Sequence, residues 1–180
     1  MYTAVLQINH SAEGSWEFLP NDLWQILLDY FIADLCTSIG FSGINTISDL
    51  SKIDCFCDWQ PEYLGKGRVV IKWKNAYSKE ITKEDEFGLF VYTDMVLEKI
   101  RPVQVYDWES CNDLYPVDEL YFFRDGRVLM IATPYEGSVM FCNLTDDEKG
   151  KLLKIDKRVP PNLHELPDRT IFSELIQLSL

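Results

Sequence analysis

Leu120-Tyr121-Phe122-Phe123-Arg124-Asp125-Gly126-Arg127-Val128-Leu129-Met130-Ile131-Ala132 is the stretch on which the fold turns. Two apolar runs meet at Asp-Gly, a dipeptide that accepts the positive φ angles of a two-residue hairpin turn, so the chain reverses there. After Pro134-Tyr135-Glu136-Gly137 a third run, residues 138–144, returns, and the three strands form an antiparallel meander over 119–144. Its middle strand, 127–133, is apolar on both faces, which places it inside a sheet with both sides covered, at least one of them by helices. Leu120, Phe122, Leu129, Ile131, Val139 and Phe141 are its expected core.

Outward from the meander, residues 2–8 read as a strand, with Val5, Leu6 and Ile8 bounded by Asn9. Asn21 or Asp22 can cap a helix running to about residue 39, where Gly40 offers a left-handed stop followed by Phe41. Asp22, Gln25, Asp29 and Ala33 form its one thin polar stripe, and the rest of its circumference is apolar. Asp34, seven residues after Leu27, falls on the apolar side, where burial would raise its pKa and suit it to acid–base work or to accepting internal hydrogen bonds. A short helix is expected over 47–53, Gly65-Lys66-Gly67-Arg68 reads as a turn, and residues 69–74 read as a strand. Thr82, with Asp85 three residues on, predicts a second main helix to Ile100, ended by Arg101-Pro102, and 103–108 predicts an edge strand. Thr145-Asp146-Asp147-Glu148 is a capping box for a helix to about 153. The tail 170–180 leans toward helix.

The chain has 180 residues, 47% of them hydrophobic and 13% aromatic, enough for one real core and one domain over 1–180. The expected class is a single α+β domain with a largely antiparallel sheet, the meander at its centre, packed by two main helices. Seventeen Lys and Arg against twenty-nine Asp and Glu give a net charge of −12, which disfavours direct binding to nucleic acid or to an anionic membrane. No Lys or Arg occurs in residues 1–51, whose charges are Glu13, Glu17, Asp22, Asp29, Asp34 and Asp49. Neither a secretion signal nor a long apolar span is visible, and five cysteines without framework spacing fit a reducing, cytoplasmic setting.

Chemistry-bearing motifs are sparse. Cys55-Phe56-Cys57 has one intervening residue rather than the two to four of common zinc sites, and no second ligand pair accompanies it, so no metal, disulfide or other cofactor is expected. His10 and His164 are the only histidines, and no nucleophile motif stands near either in sequence. Gly65-Lys66-Gly67-Arg68 lacks the spacing and the following helix of a phosphate loop. The strongest interaction candidate is residues 106–119. There Asp107, Glu109, Asp113, Asp118 and Glu119 alternate with Tyr106, Trp108 and Tyr115, and no basic residue occurs between Arg101 and Arg124. Aromatic area combined with carboxylates suits charge-assisted contact with Lys or Arg.

These features point to a non-enzymatic, acidic binding protein, such as an intracellular inhibitor or immunity-type protein that blocks a basic partner. A small hydrolase built on a His/carboxylate or Cys/His site is the alternative, to be recognised by His10, Asp34 or His164 sharing a cleft. A structural subunit of an assembly is the third reading, marked by a large exposed apolar patch.

Overall fold

A computed structural model of the chain describes residues 2–9, 16–17, 19–74, 77–104, 108 and 117–176. In chain order the strands and helices are β1 (Tyr2–Leu6), β2 (Ile8–Asn9), β3 (Trp16–Glu17), α1 (Asn21–Leu27), a π turn (Leu28–Ile32), α2 (Ala33–Leu35), β4 (Ser38–Phe41) and α3 (Ile47–Leu50). A 3-10 turn (Asp54–Phe56), β5 (Tyr63–Lys74), β6 (Glu80–Val91), α4 (Asp94–Ile100), β7 (Leu120–Arg124), β8 (Arg127–Thr133) and β9 (Ser138–Leu144) follow. The chain continues with α5 (Asp146–Ile155), α6 (Val159–Asn162), β10 (Leu163–Glu165) and β11 (Thr170–Ile176).

The class is α+β, with one nine-stranded antiparallel sheet in the order β10-β1-β9-β8-β7-β4-β6-β5-β11. Strands β7, β8 and β9 are consecutive neighbours in it, and Asp125 and Gly126 take φ of 48° and 77° at their Asp-Gly turn. The sheet is much wider than a three-stranded meander, and its covering helices are short and several rather than two main ones.

Alternate residues of the central strands belong to different cores. Leu120, Phe122, Leu129, Ala132, Val139 and Phe141 join Leu23, Trp24, Leu27, Leu28 and Phe31 of the helical layer in one cluster. Phe31 meets Phe141 edge-on at 5.3 Å, and the Trp24 indole donates to the Val103 carbonyl at 3.1 Å. The opposite face carries a second cluster that unites Val69, Ile71, Phe87 and Leu89 of β5 and β6 with Tyr121, Phe123, Val128, Ile131, Met140 and Cys142 of β7 to β9. Strands β5 and β8 are separated by β6, β4 and β7, so these side chains can share a core only if the sheet curls on itself. At the curled edge the Ser173 hydroxyl of β11 donates to the Gly126 carbonyl at 2.8 Å and accepts from the Val128 amide at 3.3 Å.

Phe87 sets the bend. A Cβ added at Gly40 would lie 2.3 Å from its ring, and one at Gly67 would lie 3.0 Å away. The same ring stacks on Tyr121 at 4.4 Å and 12°. Two neighbouring strands thus give up a side chain beneath one aromatic ring, a device that permits close backbone approach and strong curvature.

Several local expectations are corrected. The first helix stops at Leu35 and residues 38–41 form β4, because Ser38, Ile39 and Gly40 pair with both β6 and β7. Gly40 is therefore a strand glycine serving Phe87 rather than a helix stop. Residues 80–91 are strand, not helix: Phe87 and Leu89 face the inner core, Glu84 and Glu86 face outward, and the helix cap is Thr93, which accepts from the Val96 amide. Gly65-Lys66-Gly67-Arg68 lies within β5, not in a turn, and residues 170–176 of the tail form β11 along β5, while 177–180 lie outside the described residues. Val103, Gln104 and Trp108 are not strand, and 105–107 of that expected edge lie outside the described residues.

Arg158 ties the layers together. Its guanidinium reaches Asp22 at the start of α1 at 2.9 Å and Asp156 after α5 at 2.9 Å. Both carboxyls are held below their ordinary range by its hydrogen bonds. Their contribution to stability is complete above the ordinary carboxylate pKa of about 3.9 and is lost as pH falls through the depressed folded values.

Two outcomes are expected. Gly40→Ala should cost about 1–3 kcal/mol by overpacking, and adding Phe87→Leu should cost less than it does in the parent; urea titrations showing simple additivity would exclude the ring-over-glycine contact. Arg158→Gln should lower stability at neutral pH, and its deficit should shrink at roughly pH 3 and below, so a deficit independent of pH would exclude the clamp.

Candidate binding site

Trp108 anchors the acidic segment from within. It is fully buried and stacks on Phe41 at 5.7 Å and 27°, in the same cluster as Phe56 and Phe90. The Val117 amide donates to the Trp108 carbonyl at 3.1 Å, and the Ser42 amide donates to the Glu119 carbonyl at 2.9 Å. Both ends of the segment are thus fastened to the layer around β4. As an exposed contact residue Trp108 is corrected: a large apolar ring gains more from the Phe41 stack and complete burial than it could at a wet surface.

Asp118 is exposed, as expected, whereas Glu119 is buried. Tyr106, Asp107, Glu109, Asp113 and Tyr115 lie outside the described residues. Glu119 belongs to a polar cluster on the concave side of the sheet. Its carboxylate pairs with Lys83 at 2.6 Å and accepts from the Tyr121 hydroxyl, which also lies 3.0 Å from Asp85. Burial first, then the two carboxylates, push the Tyr121 phenol up, so it remains protonated and serves as a donor. One phenolic proton facing two carboxylates makes this a clasp that seats residue 119 on β6 and β7. Reading 82–100 as helix put Lys83 and Asp85 on the wrong element, and their strand-like spacing two residues apart was the signal that could have found them.

The alternative catalytic groups do not assemble. Asp34 is exposed and paired with Lys151 at 2.7 Å. The π turn supplies the reason: an extra residue in the turn rotates everything after it by roughly 100°, carrying Asp34 off the apolar face on which an ideal helix would put it. His164 is exposed on β10 opposite Val5, and His10 lies outside the described residues. Burial pushes the Cys36 and Cys55 thiols up to about 12, and it raises the Cys142 thiol as well, so all three stay protonated and are poor nucleophiles at neutral pH. Cys36, Cys55, Cys57 and Cys142 are free thiols, and Cys111 lies outside the described residues. Among the described residues no three His, Cys, Asp or Glu side chains come together as a metal site, and no helix is long and apolar enough to cross a membrane.

Four acids of residues 1–51 are already matched. Asp22 pairs with Arg158, Asp29 with Arg101, Asp34 with Lys151 and Asp49 with Lys52. By contrast, residues 94–118 hold six carboxylates, and their two cations, Lys99 and Arg101, are bound to Asp58 and Asp29. Asp94 and Glu98 lie one helical turn apart on α4 with the exposed Met95 between them.

No family model, curated protein or solved structure matches the chain. Trp108→Ala should cost about 3–5 kcal/mol of folding stability, read by chemical denaturation; a loss under about 1 kcal/mol would show that the stack on Phe41 does not hold the segment.

Proposed function

We propose that the protein is a non-catalytic binding protein whose acidic surface docks a basic protein partner, in the manner of an intracellular inhibitor or immunity protein. The observation that carries this reading is the acidic excess of residues 94–118, six carboxylates against two cations in the sequence, with Asp94, Glu98 and Asp118 exposed. Its two cations, Lys99 and Arg101, are paired with Asp58 and Asp29, which lie outside the stretch, so its own carboxylates are left in surplus of charge. Negative charge of this kind steers a cationic partner and accelerates encounter at low ionic strength. The exposed Met95 flanked by Asp94 and Glu98 offers apolar contact within a charged rim, the usual division of labour at an interface. With Trp108 committed to the core, it holds the segment in place, and the contact residues are Asp94, Met95, Glu98 and the carboxylates of 107–118. The protonated, buried thiols and the outward-turned Asp34 favour this reading over a hydrolase.

The test is capture from the native lysate at low and high salt, followed by kinetics with the captured protein. Neutralising Asp94, Glu98, Asp107 and Glu109 together should slow association at least about tenfold at low salt and flatten its salt dependence, while Met95→Ala should mainly speed dissociation. A captured partner that is acidic, or rates unchanged in both variants, would refute the assignment.

A further inference from the structure

The distribution of arginines marks a second site, on the other side of the molecule's charge balance. The chain has six. Arg68, Arg101, Arg124 and Arg158 are each bridged to carboxylates, to Glu84, Asp29, Glu148 and Asp156 respectively. The remaining two, Arg127 and Arg169, line one groove of about 450 Å³ between β11 and the β8–β9 side of the sheet, together with Asn143, Thr170 and Phe172. No described carboxylate bridges either of them. In a chain where acids outnumber bases by twelve, leaving two guanidinium groups without a carboxylate in one groove runs against the electrostatic gradient of the whole sequence.

Arg169 is held by groups that orient it without cancelling its charge. Its guanidinium lies over the Trp73 ring at 5.5 Å, and one N–H points at the Met140 sulfur at 3.4 Å. An aromatic face and a thioether are weak partners for a cation, and they leave its fork of donors available for a planar anion. Arg127 is exposed at the start of β8, so it can swing onto a bound anion. Asn143 stands at the groove with φ of 56°, its amide donating to the Val128 carbonyl at 3.3 Å. Phe172 supplies the apolar wall: it is 53% exposed and borders three adjoining hollows, the other two of which contain Lys72.

We infer that the groove between β11 and β8–β9 binds a small organic anion, its phosphate or carboxylate held by Arg127 and Arg169 and its flat ring laid on Phe172. The groove's volume falls within the range of roughly 300–1,000 Å³ typical of small-molecule sites. The protein's net negative charge does not prevent this, because exposed charges beyond about 8–10 Å are screened at physiological salt and the two arginines dominate at contact. This site is separate from the acidic docking surface, and either can fail without the other.

Four probes decide it by NMR titration of the intact chain: AMP (ring and phosphate), benzoate (ring and carboxylate), inorganic phosphate (anion alone) and adenosine (ring alone). AMP, benzoate or both should saturate with shifts at Thr170, Phe172 and Asn143, bind more tightly than inorganic phosphate, and outcompete adenosine. Which of the two binds better identifies the anion. Arg127→Gln and Arg169→Gln should each weaken binding about fivefold or more, and Phe172→Ala should remove the preference for the ring. Should Arg169→Gln unfold, Arg127→Gln decides alone, since that side chain is exposed. The proposal is overturned if neither ring-bearing anion saturates at these residues, if adenosine binds as well as AMP, or if Arg127→Gln leaves affinity unchanged.

Discussion

The stack of Phe87 on Tyr121, with Gly40 and Gly67 beneath it, is the contact on which the rest of the architecture depends. Nine antiparallel strands laid out nearly flat would leave the inner faces of β5, β6 and β11 wet. Removing two side chains under one ring lets β4 and β5 close on β6, and the sheet then folds its far strands over β7, β8 and β9. Two cores result, one under the helices and one inside the curl. The central strands feed both, so their residues are apolar on every position that faces either.

Charge is distributed with the same logic. Residues 1–51 supply carboxylates, and distant segments supply the cations: Arg158 and Lys151 from around α5 and Arg101 after α4. Individually such surface pairs contribute little. Collectively they fix how the helical layer of α1, the π turn and α2 meets its neighbours. What they leave over is informative, because the two arginines that no described carboxylate bridges stand in one groove.

Legibility in the sequence followed the range of the interaction. The Asp-Gly hairpin, the Thr145 capping box and the two-sided apolar strand β8 are local signals, and each lies where its residues said it would. Gly40 and Thr82 were misread because a glycine after an apolar run and a threonine before an acid have local meanings that tertiary pairing overrode. Asp34 was misplaced by a π turn, which no residue pattern announces. Of the candidate surface, the acidic character was visible from composition, whereas the inward turn of Trp108 depended on Phe41, sixty-seven positions earlier in the chain. The Arg127–Arg169 groove was invisible because β11 was read as helix.

The strand order carries a kinetic consequence. Residues 38–41 sit between β6 and β7, β1 lies between β9 and β10, and Thr170 pairs with Lys72. Five of the eight ladders of the large sheet join segments remote in sequence, so loop-closure entropy is spent before those pairings are rewarded. Such a topology folds slowly, on the order of milliseconds to seconds, and until β11 arrives the long strand β5 presents an unprotected edge to other chains. The Ser173 bonds that fasten β11 to the β7–β8 turn are therefore also the latch that ends the chain's exposure to misassembly.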